Sequence, residues 1–185
     1  MPPRLYLALL HHPVTDRNGQ VVTSAVTNLD LHDIARACRT YGVLRFYVVT
    51  PLPDQRALAQ KIVAHWTDGP GGARNPDRCQ ALSLVRVREG LDRVKAEIED
   101  KEGARPRTVA TDAREREQTL DFSALGDLLA TGKPVLILLG TAWGLTPETL
   151  DAADHILAPI RSGTGYNHLS VRSAAAIILD RLLGQ

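Results

Sequence analysis

Residues 135–147 read VLILLGTAWGLTP, an unbroken aliphatic run ending in Gly140, a short loop closed by Gly144, and then a Thr-Pro pair. A strand with no polar position offers no face to water, so it belongs inside a parallel sheet covered on both sides by helices. The two glycines let backbone come close to a ligand, and Thr146-Pro147 starts a short helix with proline in its first turn. The stretch therefore reads as strand, glycine loop, helix.

The same punctuation recurs along the chain. Apolar runs at 5–10, 44–50, 81–87, 107–111 and 155–159 are each bounded by polar or Gly/Pro residues. Between them lie segments of helical spacing. Residues 28–41 carry Leu31, Ile34, Ala35 and Cys38 on one face behind a Thr27/Asp30 capping pair. Residues 54–66 align Leu58, Ile62 and Trp66, and residues 90–101 set Leu91, Val94 and Ile98 against a charged, solvated face. This alternation predicts an α/β fold: one domain over residues 1–185, with a mostly parallel sheet and helices on both faces. Residues 68–78 (DGPGGARNPDR) read as a flexible connector, too rich in Gly and Pro for regular structure. The last helical segment, 170–183, leaves only Arg172, Ser173, Asp180 and Arg181 as a polar strip. A helix apolar nearly all round must be covered on most sides, which predicts packing on a second copy.

A chain of 185 residues that is 44% hydrophobic and 23% charged has enough material for a full core. Its 22 Lys and Arg against 21 Asp and Glu leave a net charge of +1. That balance excludes a polycation gripping nucleic acid by bulk charge, while leaving room for a local basic patch. Cys38 and Cys79 have no motif spacing and read as reduced thiols, and His11-His12 lacks further ligands, so no metal site is expected and a strand-end role near the pocket is the reading left to the pair. No stretch approaches the roughly 18 apolar residues of a membrane span. The chain reads as soluble and cytoplasmic.

Three strand ends carry loops that need explaining. Gly140–Gly144 follows one; Pro159-Ile-Arg-Ser-Gly163-Thr-Gly165 and then Tyr-Asn-His-Leu-Ser (166–170) follow a second; Thr111-Asp112-Ala113-Arg114 follows a third. Ligands of open α/β sheets bind outside the carboxyl ends of strands, so these loops make one candidate pocket. Neither a Gly-x-Gly-x-x-Gly after the first strand nor a Gly-x-x-x-x-Gly-Lys-Ser/Thr is present. The pocket suits a nucleoside with little phosphate to neutralise.

Leu-Leu-Gly140-Thr-Ala-Trp-Gly144-Leu, followed by Ala-Pro-Ile160-Arg-Ser-Gly163 and Asn167-His-Leu-Ser170-Val ahead of a run of alanines, resembles the second and third motifs of the SPOUT RNA methyltransferases. Residues 30–42 (DLHDIARACRTYG) are similar to the first motif of the ribose-modifying branch, with Arg36 at the place of its arginine. The resemblance covers nearly the whole chain. It implies a C-terminal trefoil knot over about residues 107–185, S-adenosylmethionine as cofactor, RNA (tRNA or rRNA) as substrate, and a homodimer that completes each active site. Carried over by position, Gly140, Thr141 and Gly144 lie beneath the adenosine. Leu139, Ile160 and Leu169 enclose the adenine, whose edge meets backbone near Ile156, Leu157 and Ile160. Thr111 forms a third wall, and Asn167, His168 and Ser170 hold the ribose, the methionine part or the helix start.

Two departures bear on the chemistry. Tyr166-Asn167-His168 stands where the ribose-modifying branch has Ser-Leu-Asn, and the Asn-His pair is similar to the tRNA guanine-N1 branch. A ribose hydroxyl needs a base or a phosphate-binding arginine, for which Arg36 is the candidate. A guanine N1 suits an Asp or His base, for which Asp112 and His168 are candidates. Trp143 reads as a loop anchor or as a surface for an RNA base. A non-catalytic RNA-binding or regulatory dimer that keeps the pocket is the alternative reading.

Overall fold

A computed structural model describes residues 3–161 and 163–184. Strand β1 (Leu5–Leu10) is followed by a small antiparallel hairpin, β2 (Val14–Thr15) and β3 (Val21–Val22). The main sheet adds β4 (Arg45–Val49), β5 (Val85–Arg88), β6 (Arg107–Thr111), β7 (Val135–Gly140) and β8 (His155–Leu157), in the order β5-β4-β1-β7-β6-β8 with every pair parallel. Strands β1 and β7 lie side by side at its centre, which is why neither contains a charged residue: both faces are covered. The chain builds outward from β1 in one direction through β4 and β5, then crosses to the other side, where β7 inserts between β1 and the earlier β6 and β8 joins outside β6. The switch point falls between β1 and β7, where Leu10 pairs with Gly140.

Helices α1 (Asn28–Thr40), α2 (Pro53–Thr67), α3 (Pro70–Arg74), α4 (Pro76–Leu82), α5 (Leu91–Glu102), α6 (Phe122–Ala130), α7 (Pro147–Asp151) and α8 (Val171–Leu183) cover the two faces. One core contains Leu31 and Ile34 of α1, Leu125 of α6 and Ile178 of α8 beneath β1 and β7. The other contains Val94 and Ile98 of α5 and Leu150 of α7, with Tyr6 and Tyr47 from the sheet. As the sequence predicts, Thr27 caps α1: its Oγ1 accepts from the Asp30 N–H at 3.2 Å and donates to the Asp30 carboxylate at 2.6 Å.

The stretch 68–78 is not an irregular connector. It forms α3 and leads into α4, because Pro70 and Pro76 each take a first-turn position and the Asn75 side chain accepts from the Arg78 N–H at 3.0 Å. Its glycines serve packing: a Cβ on Gly71 would lie 2.8 Å from the Trp66 ring. Residues 81 and 82, expected at the start of a strand, instead close α4, and β5 begins at Val85.

The last strand is gripped from both sides. On its inner side β8 pairs with β6 through Val109–His155, Ala110–Ile156 and Thr111–Leu157. On its outer side the Leu120 N–H donates to the Ile156 carbonyl (2.7 Å) and the Leu120 carbonyl accepts from the Ala158 N–H (2.8 Å). Residues 112–119 therefore bridge across β8. Asp154 clips the strand's start to β6, accepting from the Thr108 N–H (2.8 Å), the Thr108 hydroxyl (2.7 Å) and Arg107 (2.8 Å). Burial alone would raise its pKa, but these donors outweigh it and hold the carboxyl at about 2.

Candidate functional site

The glycine loop is tightly specified. The Thr141 N–H and hydroxyl both reach the Leu10 carbonyl, at 3.2 and 3.1 Å, and the Gly144 N–H returns to the Thr141 carbonyl at 2.9 Å. Ala142 takes a left-handed conformation (φ 52°), a state that costs a non-glycine residue about 1 kcal/mol or more and persists only where its surroundings dictate it. The β2–β3 hairpin supplies that constraint: Thr15 N–H donates to Gly144 O and Trp143 N–H to Thr15 O, both at 3.0 Å. Trp143 itself is 62% exposed, so it is not the anchor expected from sequence; hydrogen bonds from the hairpin anchor the loop instead.

Around this loop the other predicted residues divide by exposure. Leu139 and Leu157 are buried and form the floor, whereas Ile156 and Ile160 are half-buried and Leu169 is 44% exposed. Thr111, at the end of β6, donates to the Leu138 carbonyl at 2.9 Å. The Asn167 amide donates to Ala113 O at 2.9 Å, and Arg161 pairs with Glu115 at 2.5 Å, so the 160–170 segment is tied to the bridge over β8. Ser162, within the third quoted motif, lies outside the described residues. Ser170 caps α8, accepting from the Ser173 N–H at 3.3 Å, and His168 is exposed with its ring 5.6 Å from that of Tyr166.

Asp112 and His168 stand beside a hydrogen-bonded pair, Asn167 to Ala113 O, whereas no hydrogen bond or ion pair among the described residues joins Arg36 to either. Asp112 has a mostly buried carboxylate that accepts from Arg116 at 2.8 Å and Arg114 at 3.1 Å. Burial works to raise its pKa, but the hydrogen bonds from Arg114 and Arg116 prevail and hold it below the usual carboxylate range. Such a group is a weak proton acceptor; it positions two arginines. Arg36 is exposed on α1, and among the described residues its guanidinium has no hydrogen-bond or ion-pair partner. At the first turn of that helix Asp30 and Asp33 each meet Arg172 of α8 at 3.4 Å.

Sequence reasoning gave the His11-His12 pair only a strand-end place near the pocket and missed Ser24 on the inner wall of the switch point. His11 continues β1 by one residue: its N–H donates to Val49 O and its carbonyl accepts from Ser24 N–H, both at 2.9 Å. The ring is wholly buried, with Nδ1 3.0 Å from Ser24 Oγ and Nε2 without a hydrogen-bond partner among the described residues. The one available signal was His11 following an apolar strand at its carboxyl end; nothing marked Ser24. Burial pulls the His11 pKa down to about 4, against weaker opposing pulls from Asp30 and from the Ala25 backbone. Between about pH 6.5 and 4 the unfolded chain thus binds a proton that the folded one refuses. Stability is expected to fall over that window by up to about 3 kcal/mol. Chemical denaturation at a series of pH values checks this, and His11→Asn should flatten the slope.

These features define a class, an open parallel α/β domain with a ligand site at its switch point and small-residue turns in place of a phosphate-binding lysine. A family model described as SAM-dependent RNA methyltransferase matches residues 4–184, and the chain belongs to that family. A tRNA (guanine-N(1)-)-methyltransferase from Oleidesulfovibrio alaskensis is 49% identical over 180 residues, 97% of this chain and 42% of the relative. The chain thus spans less than half the length of that relative. A protein from Aquifex aeolicus, uncharacterized, is 40% identical over 98% of this chain and 89% of its own. The solved SpoU methyltransferase AviRb from Streptomyces viridochromogenes, in complex with the cofactor AdoMet, has a TM-score of 0.59 at 19% identity, covering 99% of this chain and 58% of that one. The fold is shared with it.

Proposed function

We propose that this chain transfers a methyl group from S-adenosylmethionine to RNA, either tRNA or rRNA, working in the cytoplasm as a homodimer of single-domain subunits. The observation that carries the reading is the meeting of Thr111, the 140–144 loop, the 156–160 segment and the 167–170 segment at one end of the sheet, in a chain of that family. The residues suit the cofactor. Gly144, Gly163 and Gly165 have open space where a Cβ would be, half-buried Ile156 and Ile160 and exposed Leu169 give apolar surface for an adenine, and Arg114, Arg116 and Arg161 are already paired with carboxylates. When bound, S-adenosylmethionine supplies an electrophilic methyl group, so the chain's task is mainly alignment.

The bridge of residues 112–119 over β8, with Asn167 and Arg161 tied to it, supports a threaded C-terminal tail, the knot over about 107–185. A homodimer is supported by α8, whose Ala174 and Ile177 stay half-exposed, and by exposed Leu29, Tyr166 and Leu169 near the α1–α8 junction. Of the three catalytic candidates, the unpaired Arg36 and the exposed His168 remain available for proton or phosphate contacts, whereas Asp112 is committed to Arg114 and Arg116. More than half of the guanine-N(1) relative lies outside the matched region, so its name does not assign the atom here. Guanine base and ribose 2′-hydroxyl are told apart by the product.

The test is calorimetry with S-adenosylhomocysteine, followed by transfer of labelled methyl to RNA from a strain lacking the gene and mass spectrometry of the nucleosides. Binding with incorporation is expected. A folded protein that binds no cofactor overturns the reading, and binding without incorporation favours the non-catalytic RNA-binding dimer.

A further inference from the structure

The buried imidazole at the switch point has an expense and no evident structural return. Leaving a buried polar nitrogen unpaired is costly, and an apolar ring of similar size would avoid it. His11 Nε2 is such an atom. The other nitrogen begins a chain whose direction can be worked out. The Leu10 carbonyl can only accept, so the Thr141 hydroxyl, 3.1 Å away, donates to it. The short Ser24–Thr141 contact then takes the Ser24 hydrogen. Ser24, having spent its hydrogen, accepts from His11, 3.0 Å away. In this direction His11 carries its proton on Nδ1, and the order runs His11 to Ser24 to Thr141 to Leu10 O.

The end of this chain is the first residue of the glycine loop. Its middle, Ser24, lies beyond the hairpin whose Thr15 also grips Trp143 and Gly144. The segment from His11 to Ser24 thus holds the loop at both ends.

We propose that His11 is a positioning residue for the cofactor loop, acting through Ser24 to fix the Thr141 hydroxyl and backbone in the binding shape. The proposal rests on the S-adenosylmethionine reading and adds a residue outside the pocket that sets cofactor affinity. Asparagine places an amide donor near the Nδ1 position, whereas phenylalanine keeps the ring volume and removes the donor.

The experiment is calorimetric titration of S-adenosylhomocysteine into wild type, His11→Asn, His11→Phe, Ser24→Ala and the double variant His11→Phe/Ser24→Ala. Thermal unfolding of each and ¹⁵N shifts of the His11 ring in wild type accompany it. The phenylalanine and alanine variants should each bind about tenfold more weakly, the double variant no worse than either, and asparagine within about threefold of wild type. The ring should report the Nδ1–H tautomer. Wild-type affinity in both single variants, losses that multiply in the double variant, or an Nε2–H tautomer overturns the relay while leaving the cofactor reading intact. No binding by folded wild type overturns both. Because Ser24 is a small, partly exposed side chain, its alanine variant decides the matter even if His11→Phe fails to fold.

Discussion

Alanine at Gly140 is expected to lower affinity for S-adenosylhomocysteine by up to about a hundredfold. Gly140 closes β7, and the loop turns straight back over it. An ideal Cβ there would lie 2.6 Å from the Leu145 nitrogen, 2.8 Å from the Gly144 carbonyl carbon and 3.0 Å from Leu145 Cγ. Two of those three atoms are backbone, so no rotamer change relieves the clash. The loop cannot swing outward freely either, because Thr15 holds Trp143 and Gly144 while Leu10 holds Thr141. Overpacking of this kind costs about 1–3 kcal/mol, and the upper end is equivalent to about two decades of affinity if the displacement falls on the cofactor floor. Gly126 in α6 supplies the contrast: nothing lies within 4 Å of its Cβ position and its backbone is helical, so alanine there should be neutral or stabilise by up to about 1 kcal/mol. Calorimetry and thermal unfolding of both variants make the comparison. Near-normal binding by Gly140→Ala would remove this loop from the cofactor site.

The difference between those two glycines marks how far the sequence could be read. Strands β1 and β7 were legible because a parallel strand buried on both faces must be apolar at every position. The loops after β6, β7 and β8 were legible because glycine and capping residues cluster there. Helices α3 and α4 were not. Each is short, and what favours them over a loose connector is a proline start, the Asn75 cap and the fit of Gly71 and Gly72 against α2, which only the folded chain supplies. The two-residue strands of the hairpin lack any period long enough to recognise, so the clamp on the glycine loop was hidden, and Trp143 was assigned the anchoring that Thr15 provides. Asp112 stood with His168 as a candidate base because a guanine N1 suits an Asp or His. Its neutralisation by Arg114 and Arg116 depends on how the bridge folds back. Pattern locates the site; partner choice decides which of its groups are free to react.

Arg36→Ala is expected to reduce kcat by about a hundredfold or more while leaving cofactor affinity within about twofold of wild type. The reason for the split is spatial. Arg36 lies on the exposed stripe of α1 with Leu29 and Asp33, and among the described residues no hydrogen bond or ion pair joins it to the loops after β6, β7 and β8. On the proposed homodimer reading it acts across the dimer, at the mouth of the second copy's pocket. That arrangement has a consequence no single-chain role shares. Co-expression of an Arg36→Ala subunit with a Gly140→Ala subunit yields mixed dimers, each holding one site with an intact loop and an intact arginine from opposite chains. With random pairing, activity should return to about a quarter of wild type, although each parent dimer is nearly inactive. Asn167→Ala serves as the loop-side partner if Gly140→Ala does not assemble. An arginine acting within its own chain gives a different outcome, because every site in the mixed dimer then carries one lesion and no activity returns. Restoration therefore supports both the dimer and the catalytic assignment. A mixture as inactive as its parents confines Arg36 to its own subunit and sinks the shared site.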